Sequence, residues 1–190
     1  FSYLPYIERD QHISLTQFTL KEAIRQTIFS ISPNDSNKMM AGELLEVKDD
    51  FLKVVSLDGH RISIRNIQLK EHYDNHKVIV PGKTLSEISK ILTGDNEKEV
   101  LIYFSKNHIL FEFVDTIVVS PLIDGEYFKI DHMLSSDYET RVKLNKRDFM
   151  DNIDRAMILI RDSDRKPIIM NVEDNNVNMK VKSAFGSMNA

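Results

Sequence analysis

The sequence contains no cysteine, and this absence excludes disulfide bonds and thiolate metal sites. A chain without cysteines fits the reducing cytosol, so we expect a cytoplasmic protein. None of its apolar runs approaches the roughly 20 residues that a membrane helix needs. Its first residues, Phe1 to Tyr6, lack the charged segment and the long apolar stretch of a signal peptide. The sequence therefore predicts no membrane partner.

The sequence also lacks a surplus of positive charge. It contains 25 Lys and Arg and 29 Asp and Glu, which gives a net charge of −4. Only a local basic surface could support nucleic-acid binding in such a chain. Hydrophobic residues make up 42% and charged residues 28%, as in a soluble globular protein, and 190 residues suffice for one or two domains. Because the chain begins with Phe1 rather than Met, we expect a fragment or a processed product.

Three segments of the chain share one pattern. Each begins with a short apolar run, at residues 13–15, 78–80 and 142–144. A capping-box pattern and an apolar stripe with helical spacing follow each run. The predicted helix starts, which recur at intervals of about 65 residues, are Thr19, Thr84 and Asp148.

Strand-like runs separated by turns follow each predicted helix. After the first helix come runs 42–47, 51–56 and 61–65, with turns at 49–50 and 58–59. After the second come runs 100–105, 109–114 and 116–123, with turns at 107–108 and 124–125. After the third come runs 168–172 and 177–182. The pattern predicts an α+β fold of repeated strand–helix–three-strand units, with the helices packed on one face of antiparallel sheets.

One such unit cannot cover both its helix stripe and its sheet face, whereas two units can. We therefore expect a lead-in from a preceding domain at 1–12 and a complete domain of two units at 13–130. A linker at 131–141 and the first half of a further domain at 142–190 should follow.

Four short segments resemble the bacterial DNA polymerase III beta subunit, the sliding-clamp family. They are Val54 to Ile62 (VVSLDGHRI), Val78 to Pro81 (VIVP), Leu122 to Gly125 (LIDG) and Arg155 to Leu159 (RAMIL). The resemblance implies a DNA-clamp fold in which the chain is the middle domain and the first half of the third. It implies a non-catalytic processivity factor without a cofactor, in which two subunits form a ring around duplex DNA. The ring would tether polymerase, clamp-loader and repair proteins through short peptides.

The helix faces opposite the apolar stripes carry six cations, which the resemblance directs toward DNA: Lys21, Arg25, Lys83, Lys90, Arg147 and Arg155. An ordinary solvated helix face is the alternative.

The resemblance also implies a pocket for partner peptides, lined by Met40, Gly59, His60, Arg61, Ile62, Phe128, His132 and Met133. Of these, Met40, Ile62 and Met133 could instead be core residues. The resemblance places a subunit interface at Ile158 and Leu159. Where the family usually has Phe-Pro-Asp-Tyr, this chain has Tyr127-Phe128-Lys129-Ile130.

Two other functions compete with the clamp. Asp58 and His60 could serve a hydrolase, although Asp-Gly in a hairpin turn explains Asp58 better. A clamp-like module could also bind peptides without forming a ring. Histidines at 72 and 76 have helical spacing, but the residues between them predict a loop, so the sequence indicates no metal site. It also contains no Gly-rich phosphate loop.

Overall fold

A computed structural model describes Ile7, Arg9 and residues 11–32, 37–134, 137–160, 166–183 and 186–189. Most of the predicted lead-in, and Ser135 and Ser136 of the predicted linker, lie outside the described residues. The chain divides into two units, residues 1–130 and 131–190. In the part of the chain that the structure describes, no helix is long and apolar enough to cross a membrane.

Within its described residues, the first unit combines two α-helices with six strands, which confirms the α+β class. In chain order they are β1 (His12–Thr16), α1 (Gln17–Thr27), β2 (Gly42–Leu57), β3 (Ile62–Pro81), α2 (Gly82–Ile91), β4 (Glu99–Phe104), β5 (His108–Phe113) and β6 (Thr116–Pro121). One antiparallel sheet has the order β1-β4-β5-β6, and β2 pairs with β3 in a second sheet.

Strands β2 and β3 are longer than predicted. Gly42 lies opposite Pro81, and Leu57 lies opposite Ile62. The two strands therefore form one long antiparallel hairpin. The register shifts around Asp49, which has a φ of 58°. The prediction of separate strands at 42–47 and 51–56 was therefore wrong, because the strand continues through the polar residues between them. The loop predicted at 73–75 was also wrong, since these residues belong to β3.

The N-cap residues of the three helices lie three residues before the predicted caps, at Thr16, Pro81 and Asn145. Thr16 caps α1, and its side chain accepts a hydrogen bond from the Thr19 backbone N–H at 3.1 Å. Pro81 precedes α2, where the Thr84 hydroxyl instead bonds Ser120 at 2.7 Å. The predicted caps were wrong because Thr19, Thr84 and Asp148 have cap-forming side chains but lie in the first helical turn.

Helices α1 and α2 contact each other and share one hydrophobic core. Leu20 and Ile24 of α1 are almost completely buried, as are Leu85 and Ile88 of α2. The same core contains apolar residues of β1 to β5, so strands from both sequence repeats cover both helices. Across the helix pair, Lys21 Nζ donates to the carbonyl that follows α2 at 2.8 Å.

A buried carboxyl group lies close to the end of α1. Glu43 is fully buried, its Oε2 accepts from the Thr27 hydroxyl at 2.9 Å, and its Oε1 has no partner among the described residues. Burial raises the pKa of Glu43 to about 8. Beside it, the Ser56 hydroxyl donates to the Thr27 carbonyl at 2.5 Å. These polar contacts lie near a second apolar cluster that includes Leu44 and Tyr127.

The second unit contains helix α3 (Lys146–Met157) and a three-stranded antiparallel sheet. Its strands are β7 (Ile169–Glu173), β8 (Asn176–Ser183) and β9 (Gly186–Asn189), in the order β7-β8-β9. Asn145 caps α3 by accepting two backbone N–H groups. The strand predicted at 142–144 was wrong: Val142 and Leu144 are exposed and have no strand partner among the described residues.

The buried carboxyl of Glu43 should make stability depend on pH. Its pKa is raised from 4.5 to about 8, so between these values the folded state keeps a proton that the unfolded state releases. Stability should therefore be highest below the lower value and fall as pH rises through the higher one, by up to about 1.4 kcal/mol per pH unit. We expect Glu43→Gln to flatten this fall, as measured by urea unfolding at about pH 5, 7 and 9.

Glu46→Gln, a less buried change on the same strand, is the matched control and should keep the pH dependence of the parent. Parallel stability profiles for the parent and Glu43→Gln would show that the buried carboxyl does not cause the dependence.

Candidate functional site

The helix pair of the first unit carries four of the predicted DNA-facing cations. Lys83 and Lys90 of α2 and Arg25 of α1 are exposed, whereas Lys21 is half-buried. Lys90 forms an ion pair with Glu87 at 2.8 Å. Arg25 forms one with Glu22 at 2.7 Å, which raises the pKa of Arg25.

The remaining two predicted cations belong to the second unit. Arg147 and Arg155 are both exposed on α3, and Arg155 Nε donates to the Asp151 carbonyl at 3.2 Å. Each unit therefore carries cations on a helix. In the first unit these cations share their surface with carboxylates, so the attraction for a phosphate backbone is weak and strongly screened by salt.

The turn between β2 and β3 is fixed by one aspartate. Asp58 Oδ1 accepts the backbone N–H groups of His60 and Arg61, and Oδ2 accepts Arg61 Nε at 2.9 Å and Nη2 at 2.6 Å. The bond from the Arg61 side chain contributes most to lowering the pKa of Asp58 to about 2. Gly59 takes a positive φ of 84°, as this turn requires. A carboxylate with so low a pKa is a poor general base at neutral pH, which argues against the hydrolase.

Phe29 is a candidate site residue that the sequence reasoning missed. It lies in the 3-10 turn Ile28–Ser30 after α1, and its side chain is 56% exposed. The Arg61 guanidinium carbon lies 5.8 Å from the centroid of the Phe29 ring, within the range of a cation–π contact. An aromatic residue just outside the apolar stripe of α1 was the available signal. Phe29 and Asp58 together hold the Arg61 side chain in one place.

The predicted pocket residues of the first unit have two kinds of environment. Met40, Ile62 and Phe128 are half-buried and pack against the second apolar cluster. Their partial exposure leaves apolar surface on this cluster, and Gly59 and His60 of the turn are exposed. Of these three residues, Ile62 directly follows Arg61, whose side chain contacts Asp58 and Phe29.

The other predicted site residues belong to the second unit. His132 and Met133 are exposed at its start. At the end of α3, Ile158 is 80% exposed and Leu159 is partly buried. These four positions remain predictions from the resemblance.

Two further features were not anticipated. Asp49, Asp50 and His72 bring ligand-type atoms within 4.8 Å of one another on the surface. His72 Nδ1 lies 2.5 Å from Asp49 Oδ1, which raises the pKa of His72, and Asp50 Oδ2 accepts from Gln68. The first unit also contains an open groove of about 940 Å³, which no predicted site residue lines.

Comparison with known proteins gives consistent matches along the chain. Residues 14–129 match the family described as DNA polymerase III beta subunit, central domain. The beta sliding clamp of Staphylococcus aureus is 31% identical over 183 residues, which cover 96% of this chain and 48% of that protein. The chain thus spans about half the length of the curated relatives it matches.

Two crystal structures are similar along the whole chain. One, described as a DNA polymerase III beta subunit from Eubacterium rectale, has 62% identity and a TM-score of 0.96, with 52% of its own chain covered. The sliding clamp of Bacillus subtilis has 28% identity and a TM-score of 0.92, with 50% covered. These similarities confirm the DNA-clamp fold. The chain belongs to the DNA polymerase III beta subunit family, and its residues 14–129 match the central domain of that family.

Proposed function

We propose that this chain forms part of a DNA sliding clamp, a non-catalytic ring that encircles duplex DNA and tethers a polymerase. The observation that carries the proposal is the contacting helix pair, which buries its apolar stripes in one core and leaves cations on its outer faces. In a chain of this family, such a helix pair supplies a smooth, weakly basic surface.

A ring holds DNA by topology, so it needs no strong contacts with the phosphates. Arg25 pairs with Glu22 and Lys90 pairs with Glu87, which reduces the attraction of these cations for phosphate. Exposed ion pairs of this kind are weak. Such contacts are screened by salt and break easily, which permits sliding. The mixture of charges therefore supports a sliding surface better than a static DNA-binding site.

Ring closure requires a second subunit, and we propose a homodimer for the intact protein. The side chain of Ile158, with 80% of its surface exposed, offers apolar area that a subunit interface would bury. With Leu159 it forms the proposed contribution of the second unit to that interface.

Partner proteins would bind through short peptides, as the resemblance implies for polymerase and clamp-loader subunits. The apolar surface of Met40, Ile62 and Phe128 suits the anchor side chains of such a peptide. Arg61, held by Asp58 and Phe29, would donate hydrogen bonds to the peptide from a fixed position.

Retention on circular DNA tests the proposal. The intact protein, loaded on a nicked circle, should remain bound in salt concentrations that abolish ordinary electrostatic binding, and it should leave when the circle is cut. Gel filtration of labelled protein with each DNA form measures this retention. Equal loss from circular and linear DNA would contradict the ring.

The exposed lysines of α2 should contribute to loading without contributing to the core. We expect Lys83→Glu with Lys90→Glu to slow loading by about tenfold at low salt, because two attractions for phosphate become repulsions. Unfolding curves should stay close to those of the parent. The control pair, Lys48→Glu with Lys70→Glu, makes the same change of charge on strands β2 and β3. This control should load normally. If both pairs slow loading equally, overall charge and not the helix surface is responsible.

Arg61 should be needed for peptide binding. We expect Arg61→Ala to weaken the binding of a clamp-binding peptide from the replicative polymerase by about tenfold or more, as measured by calorimetry. Arg65→Ala, an exposed change on strand β3 close to the turn, is the control and should leave affinity unchanged. Unchanged affinity in Arg61→Ala would place the peptide site elsewhere.

A further inference from the structure

An open groove of the first unit is lined by none of the residues assigned to a surface above. Its volume is about 940 Å³, at the upper end of the range for ligand pockets. One wall belongs to β3 around Val78, and the opposite wall is the segment 121–129 that follows β6. The turn between β4 and β5 closes one end, where the Leu122 N–H donates to the Asn107 carbonyl at 2.9 Å.

The interior of this groove offers apolar surface. Val78, Leu122 and Ile123 line it and are each only partly buried. Beneath them lie Ile79 and Tyr127 of the second apolar cluster. The Ile123 N–H donates to the Ile79 carbonyl at 2.9 Å, so the two walls are joined at the base of the groove. The groove is therefore part of the folded core structure and can accept apolar side chains.

The edges of the groove carry charges of both signs. Lys106 and Lys129 line it, are exposed, and form no ion pair with any described residue. Lys77 also lines it, but its Nζ lies 3.9 Å from Glu46. Asp124 and Glu126 lie on the wall that ends at Lys129. Two lysines are thus available for isolated acidic groups, whereas the two carboxylates repel a continuous polyanion.

We propose that this groove binds an extended, acidic peptide segment of a partner protein. Apolar side chains of the segment would contact Val78 and Ile123, and its carboxylates would pair with Lys106 and Lys129. The combination of an apolar interior with Asp124 and Glu126 favours a peptide over nucleic acid. The inference does not rest on the clamp function, because none of its residues belongs to the helix surface or to the Arg61 site.

Fluorescence anisotropy with three labelled peptides tests the inference on the whole chain. The probe Glu-Leu-Asp-Leu-Glu carries both acidic and apolar groups, Gln-Leu-Asn-Leu-Gln lacks the charges, and Glu-Gly-Asp-Gly-Glu lacks the apolar anchors. We expect only the first peptide to bind. Lys106→Glu with Lys129→Glu should weaken its binding by about tenfold or more, and the corresponding glutamine pair should have an intermediate effect.

Lys48→Glu with Lys70→Glu, which makes the same change of charge outside the groove, should leave the affinity unchanged. The inference is overturned by absence of binding, by equal binding of the glycine peptide, or by equal loss of affinity in the two Lys→Glu pairs. Competition by a short single-stranded oligonucleotide at the same concentration as the peptide would also overturn it, since it would identify a general anion surface. Circular dichroism of each variant establishes that the fold is intact.

Discussion

The apolar faces of α1 and α2 must be buried in the same core, and the rest of the first unit depends on this constraint. Leu20 and Ile24 of one helix and Leu85 and Ile88 of the other belong to one cluster. Loss of either helix would expose apolar residues of this cluster to water. The two helices consequently lie in contact, and Arg25, Lys83 and Lys90 stay exposed outside this core.

This arrangement connects the fold to the proposed function. Because the apolar side chains of α1 and α2 are buried in the core, the cations of these helices lie on the opposite, outer faces. In contrast, the turn at Asp58 follows strand β2, and the groove beside Ile123 lies between β3 and the segment that follows β6. The proposed DNA-facing surface and the proposed peptide-binding surfaces therefore consist of different residues of one unit.

The sequence predicted the repeated pattern because apolar periodicity reports directly on burial. The stripe at Leu20, Ala23 and Ile24 is buried as expected. The helix starts were misplaced because Thr19 and Thr84 have the chemistry of a cap, and only the backbone geometry distinguishes a cap from the first turn. The strand around His72 was missed because exposed, polar strand residues have the composition of a loop.

The candidate sites were predictable only in part. A motif such as Asp58-Gly59-His60-Arg61 identifies a turn, but not that Phe29, from a distant part of the sequence, packs against Arg61. The groove was not predictable, since Val78 and Ile123 are apolar residues of the kind that usually form a core. Contacts between distant segments depend on strand register, which local patterns do not determine.

The orientation of the helix pair toward DNA is the central claim, and site-specific crosslinking tests it most directly. Because this chain contains no cysteine, a single Lys83→Cys or Lys70→Cys change can carry a photoactivatable crosslinker, in intact protein free of other cysteines. After loading on circular DNA and illumination, we expect crosslinks from position 83 on α2 and few from position 70 on β3. Crosslinks from position 70 without crosslinks from position 83 would contradict a ring whose helices face the DNA.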